Sequence, residues 1–294
     1  MHAAVLAALP FAIPVAHIHG GELSYGAIDD LLRHSMTKLS HLHFVATAEY
    51  AARVRQMGEE PWRVLVSGAP ALDNLAAIPM LSREQLEERV GLRFDAPPLL
   101  VTFHPVSLEF ERAAEQAEEL LAALDGLDAP IVATKPNADA GGRAVLEKLT
   151  AWVKDRPRRV LIDNLGARAY FSLMQVAAAM VGNSSSGLIE APSFRLPVVN
   201  IGTRQDGRSR AANVIDCACE RDAVRAAVRR ALSSGFRDSL AGLINPFGTG
   251  RAAEIIVERL RTVELNDRLL RKAFHDLHPG KVEIGGGEPC SPAA

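Results

Sequence analysis

Short runs of β-branched and aliphatic residues alternate with amphipathic segments along most of this chain of 294 residues. The alternation predicts an α/β protein built of βαβ units around parallel sheets, because each parallel strand needs a crossover, usually a helix, to reach the next. The predicted strands cover residues 15–18, 43–46, 64–66, 99–103, 131–134, 160–162, 180–181 and 198–201.

Helical spacing of apolar residues appears between these strands. One set comprises Ile28, Leu31, Leu32, Met36 and Leu39, and a second set comprises Tyr170, Leu173, Met174 and Ala177. Thr47 is placed to cap a further helix that ends near Gly58. We expect the apolar residues 1–16 to form a buried helix that leads into a buried strand, because a secretory signal would need a basic start that is absent here.

A change of composition near residues 80–98 indicates a domain boundary, since a charged helix over residues 82–89 leads to Asp95-Ala96-Pro97-Pro98. We therefore predict one Rossmann-like domain over residues 1–95 and a second over residues 96–265. Residues 266–294 form a tail that is expected to be partly disordered, because its end is rich in Gly and Pro. Three predicted strands are few for the first domain, which is expected to be incomplete at its N-terminus.

The charge balance excludes some classes of partner. The chain has 33 basic and 35 acidic residues and a net charge of −2, so nothing in the composition draws it to nucleic acid or to a membrane. No apolar run approaches the ~18 residues of a spanning helix. Cys217, Cys219 and Cys290 fit neither a disulfide framework nor a CxxC zinc motif, which favours a reducing cytoplasm.

A Gly/Ser segment, Gly182-Asn183-Ser184-Ser185-Ser186-Gly187-Leu188-Ile189-Glu190, follows a predicted strand and opens a predicted helix. Backbone N–H groups and three hydroxyls at such a point favour an anion, and Glu190 could accept hydrogen bonds from a ribose. The segment is neither a Walker loop, nor a dinucleotide fingerprint, nor a GxSxG elbow. A Ser-rich helix cap with a solvated Glu190 remains an alternative.

A second cluster begins where the first predicted strand ends. His17-Ile18-His19-Gly20-Gly21-Glu22 precedes Gly26-Ala27-Ile28-Asp29-Asp30 and Arg33-His34. Imidazoles and carboxylates at the carboxyl end of a strand suit proton transfer to a ligand. Because alternate side chains of a strand point to opposite faces, His17 and His19 are not expected to chelate one metal, and we predict no metal site. Core or capping roles are expected for His17, His34, His41 and His43.

Three further loops follow strands of the second predicted domain. His104 in the first loop and Arg204 in the third are placed to meet a diphosphate, and Asn137 in the second to meet a base or a sugar. Each loop also contains turn-forming residues, so a turn role is an alternative for any one of them.

Taken in order, these motifs resemble the hydrolysing UDP-N-acetylglucosamine 2-epimerases that start sialic-acid and related nonulosonic-acid synthesis. The resemblance runs from about residue 2 to residue 262 and also rests on His104-Pro105-Val106, Pro136-Asn137-Ala138-Asp139 and Asn200-Ile201-Gly202-Thr203-Arg204-Gln205. It implies two Rossmann-like domains of the GT-B type facing a cleft, a UDP-sugar substrate, no cofactor, and a homo-oligomer, either a dimer or a tetramer.

The resemblance also implies a mechanism and roles for residues. A carboxylate removes the proton at C2 while UDP leaves C1, and water then adds to the glycal to release the 2-epimeric sugar. The implied catalytic residues are Asp29, His19, Glu22 and His104. The implied substrate-binding residues are Asn137, Ser184, Ser185, Ser186, Gly187, Glu190 and Arg204.

Two departures from the family pattern affect these expectations. Some members have Glu at the position of His19, which bears on the acid or base assigned there. The family's first half-domain, with a Gly-Asp-Arg motif, is not among these 294 residues. We therefore expect either that the gene encodes it ahead of Met1 or that the chain is a fragment without full activity. The alternative functions are a GT-B glycosyltransferase that uses a UDP-sugar and a truncated UDP-binding fragment.

Overall fold

The computed structural model describes residues 1–25 and 29–277 and shows two parallel β-sheets with helices around them. The first sheet contains β1 (Ala16–Ile18), β2 (Leu42–Val45) and β3 (Val64–Val66), in the order β1-β2-β3. The second sheet contains β4 (Leu99–Thr102), β5 (Ile131–Thr134), β6 (Arg159–Ile162), β7 (Ala179–Gly182), β8 (Val198–Ile201) and β9 (Val214–Cys217).

Thirteen helices are seen in the described part of the chain. They are α1 (His2–Ala8), α2 (Asp29–Leu39), α3 (Ala48–Gln56), α4 (Asp73–Ala77), α5 (Arg83–Val90), α6 (Ala113–Leu124), α7 (Gly142–Val153), α8 (Gly166–Val176), α9 (Ser186–Ile189), α10 (Arg221–Leu232), α11 (Ser234–Ser239), α12 (Ala252–Thr262) and α13 (Asp267–Leu270). Short 3₁₀ turns lie at Leu9–Phe11, Pro61–Arg63, Pro70–Leu72, Ser107–Arg112 and Ala191–Phe194. In this part of the chain no helix is both long and apolar enough to cross a bilayer.

The second sheet has the strand order β6-β5-β4-β7-β8-β9, which is the doubly wound order of a nucleotide-binding fold. From β4 the chain adds strands first on one side, as β5 and β6, and then on the other side, as β7, β8 and β9. The carboxyl ends of β4 and β7 therefore flank a crevice, which is where ligands bind in such sheets. One core cluster packs α6, α7 and α10 against one face of the sheet, and a second packs α5 and α8 against the other. The predicted α/β architecture of two Rossmann-like domains is therefore confirmed.

All eight predicted strands are present, with ends that differ by at most one residue. The ninth strand, β9, was missed because a charged residue interrupts its apolar residues. Its sequence is Val-Ile-Asp-Cys, and Asp216 is exposed. The helical spacing that starts at Tyr170 corresponds to α8, which ends one residue before Ala177. The helix predicted from Thr47 is α3, and the Thr47 side chain accepts a hydrogen bond from the Tyr50 N–H. Of the first predicted apolar set, Ile28 lies outside the described residues.

The prediction of a buried start for the chain is wrong. No residue of α1 is buried, and the side chains of Phe11, Ile13 and Ile18 are 75%, 52% and 42% exposed. The reason is that β1 lies at an edge of the first sheet and α1 packs beside α2 rather than beneath a sheet. The apolar composition of residues 1–16 therefore does not reflect burial among the described residues.

The domain limits stay a prediction. Two segments, however, pack against a sheet on the other side of a boundary at residue 95. Leu86, Val90 and Phe94 lie in the core cluster of the second sheet, with Leu100. In the opposite direction, Ile256 of α12 joins the cluster of the first sheet. The chain thus returns from the second sheet to the first one at its C-terminal end.

Candidate functional site

The loops that follow β4 and β7 meet at the crevice of the second sheet. Gly182 has φ +141°, and a Cβ placed there would lie 2.0 Å from the backbone oxygen of Thr102, so only glycine fits. The side chain of Asn183, 1% exposed, accepts from the His104 N–H at 2.7 Å and donates to the His104 oxygen at 2.8 Å. This double hydrogen bond fixes the two loops relative to each other.

Two of the three serines in the Gly/Ser segment, Ser184 and Ser186, form a hydroxyl network with Tyr170. Ser184 Oγ lies 2.9 Å from Ser186 Oγ, which lies 2.7 Å from the hydroxyl of Tyr170. The N–H groups of Ser184 and Ser185 donate to no acceptor within the described part of the chain. These N–H groups and the adjacent hydroxyls can bind a phosphate. The helix expected after the segment is short, since α9 spans only Ser186–Ile189.

Glu190 lies at the C-terminal end of α9, not within a longer helix, and its carboxyl group faces a cavity of about 370 Å³. Its Oε2 is buried, and none of the residues that the structure describes forms a hydrogen bond with it. Burial raises the pKa of Glu190 to about 7, although nearby His19 and Arg208 oppose the shift. The other cavity residues are Thr102, Thr134, Asp163, Asn164, Leu165, Gly166, Ala167, Tyr170, Phe171, Ser184 and Ser186.

His104 follows β4 and is 7% exposed. Its Nδ1 accepts a hydrogen bond from the Asn137 N–H at 3.1 Å, so the neutral ring carries its proton on Nε2. Burial and the nearby guanidinium of Arg204 lower the pKa of His104 to about 4. His104 is therefore neutral at pH 7. Asn137 contributes its backbone here, and as a residue it is exposed.

Arg204 reaches the crevice from the loop after β8. Its Nη1 donates to the Asn183 oxygen at 3.1 Å, beside the Gly/Ser segment. Burial lowers the pKa of Arg204, the charge of Arg208 lowers it further, and the carboxylates of Asp139 and Asp29 oppose the shift. Asp29, which begins α2, is thus close to the loop that follows β8.

The turn after β1 contains a hydrogen bond between His19 and Glu22. His19 has φ +65°, an uncommon conformation that turns its side chain away from the strand direction, and its Nδ1 lies 2.6 Å from Glu22 Oε1. Glu22 is 4% exposed. Burial would raise the pKa of Glu22, but the His19 hydrogen bond and the charges of His19, Arg208 and Arg33 outweigh it and keep the pKa low.

The segment between this turn and α2 is only partly described. Gly26, Ala27 and Ile28 lie outside the described residues. Asp30 Oδ1 accepts the Ser24 N–H at 2.6 Å and therefore has a structural partner, whereas Asp29 is exposed.

The remaining histidines of the first domain take structural positions, as the sequence predicted. His43 is fully buried and lies 2.9 Å from Glu59, and His41 accepts the Val15 N–H at 3.1 Å. His17 lies 3.2 Å from the Thr37 hydroxyl, and burial lowers the pKa of His17 to about 4. His34 lies 3.5 Å from Asp30.

The structure brings most of the predicted site residues to one cleft. His104, Arg204 and the Gly/Ser segment lie together, and His19 comes near enough to Glu190 to influence its pKa. Sequence reasoning gave no site role to Tyr170 and Arg208, and it named Arg33 only as part of the second cluster. Tyr170 was recognised only as a helix position, and nothing in its spacing indicated that its hydroxyl contacts Ser186.

Comparisons with known proteins agree with this architecture. The family model described as UDP-N-acetylglucosamine 2-epimerase matches residues 1–261. A "GDP/UDP-N,N'-diacetylbacillosamine 2-epimerase (hydrolyzing)" from Campylobacter jejuni is 40% identical over 90% of this chain and 69% of its own length. A "UDP-N,N'-diacetylbacillosamine 2-epimerase (hydrolyzing)" from Legionella pneumophila is 36% identical over 92% of this chain and 71% of its own length.

Solved structures show the same fold. A UDP-GlcNAc 2-epimerase from Neisseria meningitidis bound to UDP-GlcNAc has a TM-score of 0.77 at 21% identity and covers 89% of this chain and 73% of its own. A UDP-GlcNAc 2-epimerase from Methanocaldococcus jannaschii in complex with UDP-GlcNAc and UDP has a TM-score of 0.71 at 18% identity, with 88% and 72% covered. The fold is thus that of a GT-B-type protein, and the chain belongs to the UDP-N-acetylglucosamine 2-epimerase family.

Proposed function

We propose that this chain is a hydrolysing 2-epimerase that converts a UDP-linked 2-acetamido sugar into the free 2-epimeric sugar and UDP. The observation that carries the proposal is the cleft itself, where His19 and Asp29 of the first domain lie near enough to Glu190 and Arg204 of the second to influence their pKa values, and where Glu22 lies 3.9 Å from Arg208. A reaction at the sugar, next to the bond that joins it to a diphosphate, needs both sets of groups in one place.

The groups of the second domain suit the nucleotide. Glu190 offers a buried carboxyl oxygen, which no described residue satisfies, to a ribose hydroxyl. The Ser184 and Ser185 N–H groups and the Arg204 guanidinium suit the diphosphate. His104, neutral and protonated on Nε2, can donate a hydrogen bond to a departing phosphate oxygen.

The proposed chemistry has two steps. Asp29 takes the proton from C2, the electrons of that bond form a C1–C2 double bond, and the C1–O bond breaks with its electrons on UDP. Water then adds its hydroxyl to C1 of the glycal, while a proton returns to C2 on the opposite face, which inverts C2. We assign the delivery of that proton to His19, whose Nε2 takes it from the attacking water and passes it to C2, while Asp29 releases the proton it removed to solvent. The sum is UDP-sugar plus water giving UDP plus the free epimer.

We propose that the substrate is UDP-N,N'-diacetylbacillosamine, whose sugar is a 2,4-diacetamido-2,4,6-trideoxy sugar. UDP-N-acetylglucosamine is the alternative substrate. The support for the first substrate is the names of the Campylobacter jejuni and Legionella pneumophila relatives. The alternative substrate is supported by a relative from Neisseria meningitidis that is named UDP-N-acetylglucosamine 2-epimerase and is 34% identical over 82% of this chain. We further propose that the chain works as a homo-oligomer.

The test is incubation of the purified chain with each UDP-sugar in heavy water, followed by NMR of the products. We expect free UDP and a free 2-epimeric sugar with one deuterium at C2, and a higher kcat/KM for the diacetamido sugar. The Asp29→Asn variant is the negative control. Equal or better turnover of UDP-N-acetylglucosamine would remove the substrate assignment and leave the reaction class.

Three other outcomes correspond to other functions. A UDP-linked 2-epimer that keeps its nucleotide would indicate the non-hydrolysing reaction. Sugar transfer that requires an added acceptor would indicate a glycosyltransferase. UDP binding without any free sugar after long incubation would indicate a nucleotide-binding fragment.

A further inference from the structure

The loop over residues 202–210 belongs to the second domain but contacts the first. The Tyr25 N–H approaches the Asp206 oxygen at 3.4 Å, and the Ser209 N–H donates to the Tyr50 hydroxyl at 3.0 Å. The Ser209 hydroxyl also donates to Glu49 at 2.5 Å. The loop that carries Arg204 beside the Gly/Ser segment is therefore also attached to the edge of the His19 turn.

Arg208 is the cation of this loop that reaches the His19–Glu22 pair. Its side chain is 16% exposed, with Nη2 3.4 Å from Ser24 Oγ and 3.9 Å from Glu22 Oε2. Its Nε is buried and has no hydrogen-bond partner among the described residues. A buried guanidinium with an unsatisfied N–H at this point is costly, so a role in the site explains its presence better than packing does.

The contact with Glu22 determines the state of His19. Because Glu22 is ionised and accepts a hydrogen bond at 2.6 Å, Nδ1 of His19 must carry the proton. Nε2 is then the atom of a neutral imidazole that has a lone pair, and it can exchange a proton with a substrate. A carboxylate that orients an imidazole in this way is a recurring arrangement in enzymes.

We propose that Arg208 is a positioning residue that acts through Glu22 on His19. By keeping Glu22 ionised, Arg208 holds His19 in the tautomer with a proton on Nδ1, and it does so from the loop that also carries Arg204. The role of His19 in proton transfer rests on the proposed function. The orientation of His19 by Arg208 and Glu22 does not.

The electrostatics of Glu22 support the assignment. The charged and titratable groups that face its carboxyl come from four parts of the chain, namely His17 and His19 of β1 and its turn, Arg33 of α2, Tyr50 of α3 and Arg208 of the loop after β8. The Arg33 guanidinium donates hydrogen bonds to the Glu22 backbone oxygen at 3.3 Å and to Ser24 Oγ at 3.2 Å. Arg208 is thus the cation that approaches the Glu22 carboxylate itself.

The first test is ¹⁵N NMR of histidine-labelled protein, with the His19 signals assigned by comparison with the His19→Gln variant. We expect the wild type to show a proton on Nδ1, and acidification to disrupt this pairing when Glu22 becomes protonated. In Arg208→Met, disruption should occur about one pH unit higher, because a cation at this distance lowers a carboxyl pKa by at least that amount. Arg208→Lys should titrate like the wild type.

The control is Arg221→Met, which removes an exposed arginine at the start of α10 and should leave the His19 signals unchanged. Should Arg208→Met fold poorly, Glu22→Gln keeps an oxygen acceptor without the ionisable group. In that variant the proton on Nδ1 should persist, and the loss of the Nδ1 hydrogen bond in acid should vanish, while protonation of the ring at Nε2 remains. An Arg208→Met titration identical to the wild type, or an acid-dependent loss of the Nδ1 hydrogen bond that survives in Glu22→Gln, would overturn the proposal.

The second test compares turnover with binding. Arg208→Met should lower kcat about tenfold and change UDP affinity less than threefold. It should also shift the acid limb of the pH–rate profile to higher pH. A loss of UDP affinity with unchanged His19 signals would make Arg208 a phosphate ligand and overturn the proposal. If the wild type releases no free sugar, the proposed function fails, while the NMR experiment still decides the role of Arg208.

Discussion

Glu190 is a buried carboxyl group whose ionisation opposes folding. Its pKa is raised by burial from 4.5 in an exposed carboxyl to about 7 in the folded chain. Between these two values the folded protein binds more protons than the unfolded one, so stability falls as the pH rises. Such a cost is typical of a residue kept for its function.

The Glu190→Gln variant should therefore be more stable than the wild type, and more so at high pH. We expect the gain in free energy of unfolding to be roughly 2 kcal/mol larger at pH 8 than at pH 5. The reason is that the buried carboxyl of the folded wild type is protonated at pH 5 and must be ionised at pH 8. Urea unfolding at the two pH values measures the difference. A gain that does not depend on pH would show that Glu190 is not perturbed in this way.

The Glu190→Ala variant tests the ligand role of the same residue. Loss of a buried acceptor for a ribose hydroxyl should weaken UDP binding about tenfold, since a hydrogen bond to a charged group contributes about 1.5 kcal/mol or more. Isothermal titration with UDP gives the affinity. Unaltered affinity for UDP would contradict the assignment of Glu190 to the ribose.

The Asp29→Asn variant separates chemistry from binding. Asparagine is nearly isosteric but cannot take a proton at C2, so deuterium incorporation from heavy water should fall at least a hundredfold while UDP affinity changes little. NMR of the product gives the first quantity and titration with UDP the second. Normal incorporation at C2 would remove Asp29 from the proposed mechanism.

At the residue scale the sequence predicts groups that lie in one loop but not groups that meet across the cleft. The Gly/Ser segment was predicted because its hydroxyls, glycines and Glu190 are contiguous. Arg208 is 186 positions beyond Glu22, and only the folded chain shows that the two side chains are 3.9 Å apart. Pairing over such a separation leaves no local pattern in the sequence.

At the element scale, the junction between β4 and β7 depends on Gly182. A side chain there would overlap the Thr102 backbone, which pairs with Gly182 in the sheet. Gly182→Ala should therefore cost about 3 kcal/mol or more of stability and displace the Gly/Ser segment, which would lower UDP affinity. Urea unfolding and titration with UDP measure the two effects.

Gly126→Ala is the matched control for this variant. Gly126 also has a positive φ, +80°, but a Cβ there would meet no atom within 4 Å. Its cost should be about 1 kcal/mol, from the backbone conformation alone, with UDP affinity unchanged. Similar losses in both variants would show that the contact with Thr102 is not what makes glycine necessary at 182.

The strands were predictable where their apolar residues run on without interruption by a charged residue. The predicted runs at 131–134 and 198–201 coincide with β5 and β8 because both lie inside the sheet and are largely apolar, with one polar residue each, Thr134 and Asn200. The edge strand β9 has an exposed Asp216 and gives no such signal. The opposite error occurred at α1, where apolar composition suggested burial that the described structure does not show.

At the scale of the whole molecule, the C-terminal segment joins the two sheets. Phe247 and Ile256 pack in the core clusters of the first sheet, although the chain reaches them from the second. A division of the sequence at one boundary could not show this, because helices α12 and α13 carry an ordinary amphipathic pattern that fits either sheet. Which sheet they cover is decided by contacts between residues more than 170 positions apart in the sequence. One example is the hydrogen bond from the Ala252 N–H to Asp73.

Arg63 secures this return of the chain. It is 1% exposed, and its guanidinium donates to the Leu269 and Arg268 oxygens, both at 2.7 Å, and to the Arg271 oxygen at 3.2 Å. In Arg63→Met these carbonyl groups would lose their donor, and Glu60 would lose its cationic partner while it keeps the hydrogen bond from Trp62. We expect a loss of about 3 kcal/mol in the free energy of unfolding.

Arg268→Met is the control, because Arg268 is exposed and its guanidinium contacts only the Trp62 ring, 4.9 Å from the ring centre, among the described residues. Its loss should cost less than about 1 kcal/mol. Limited proteolysis distinguishes local from global effects. If Arg63 fastens the segment to the first sheet, Arg63→Met should be cleaved within residues 263–277 before the rest of the chain, whereas uniform cleavage along the chain would show that Arg63 supports the first domain as a whole.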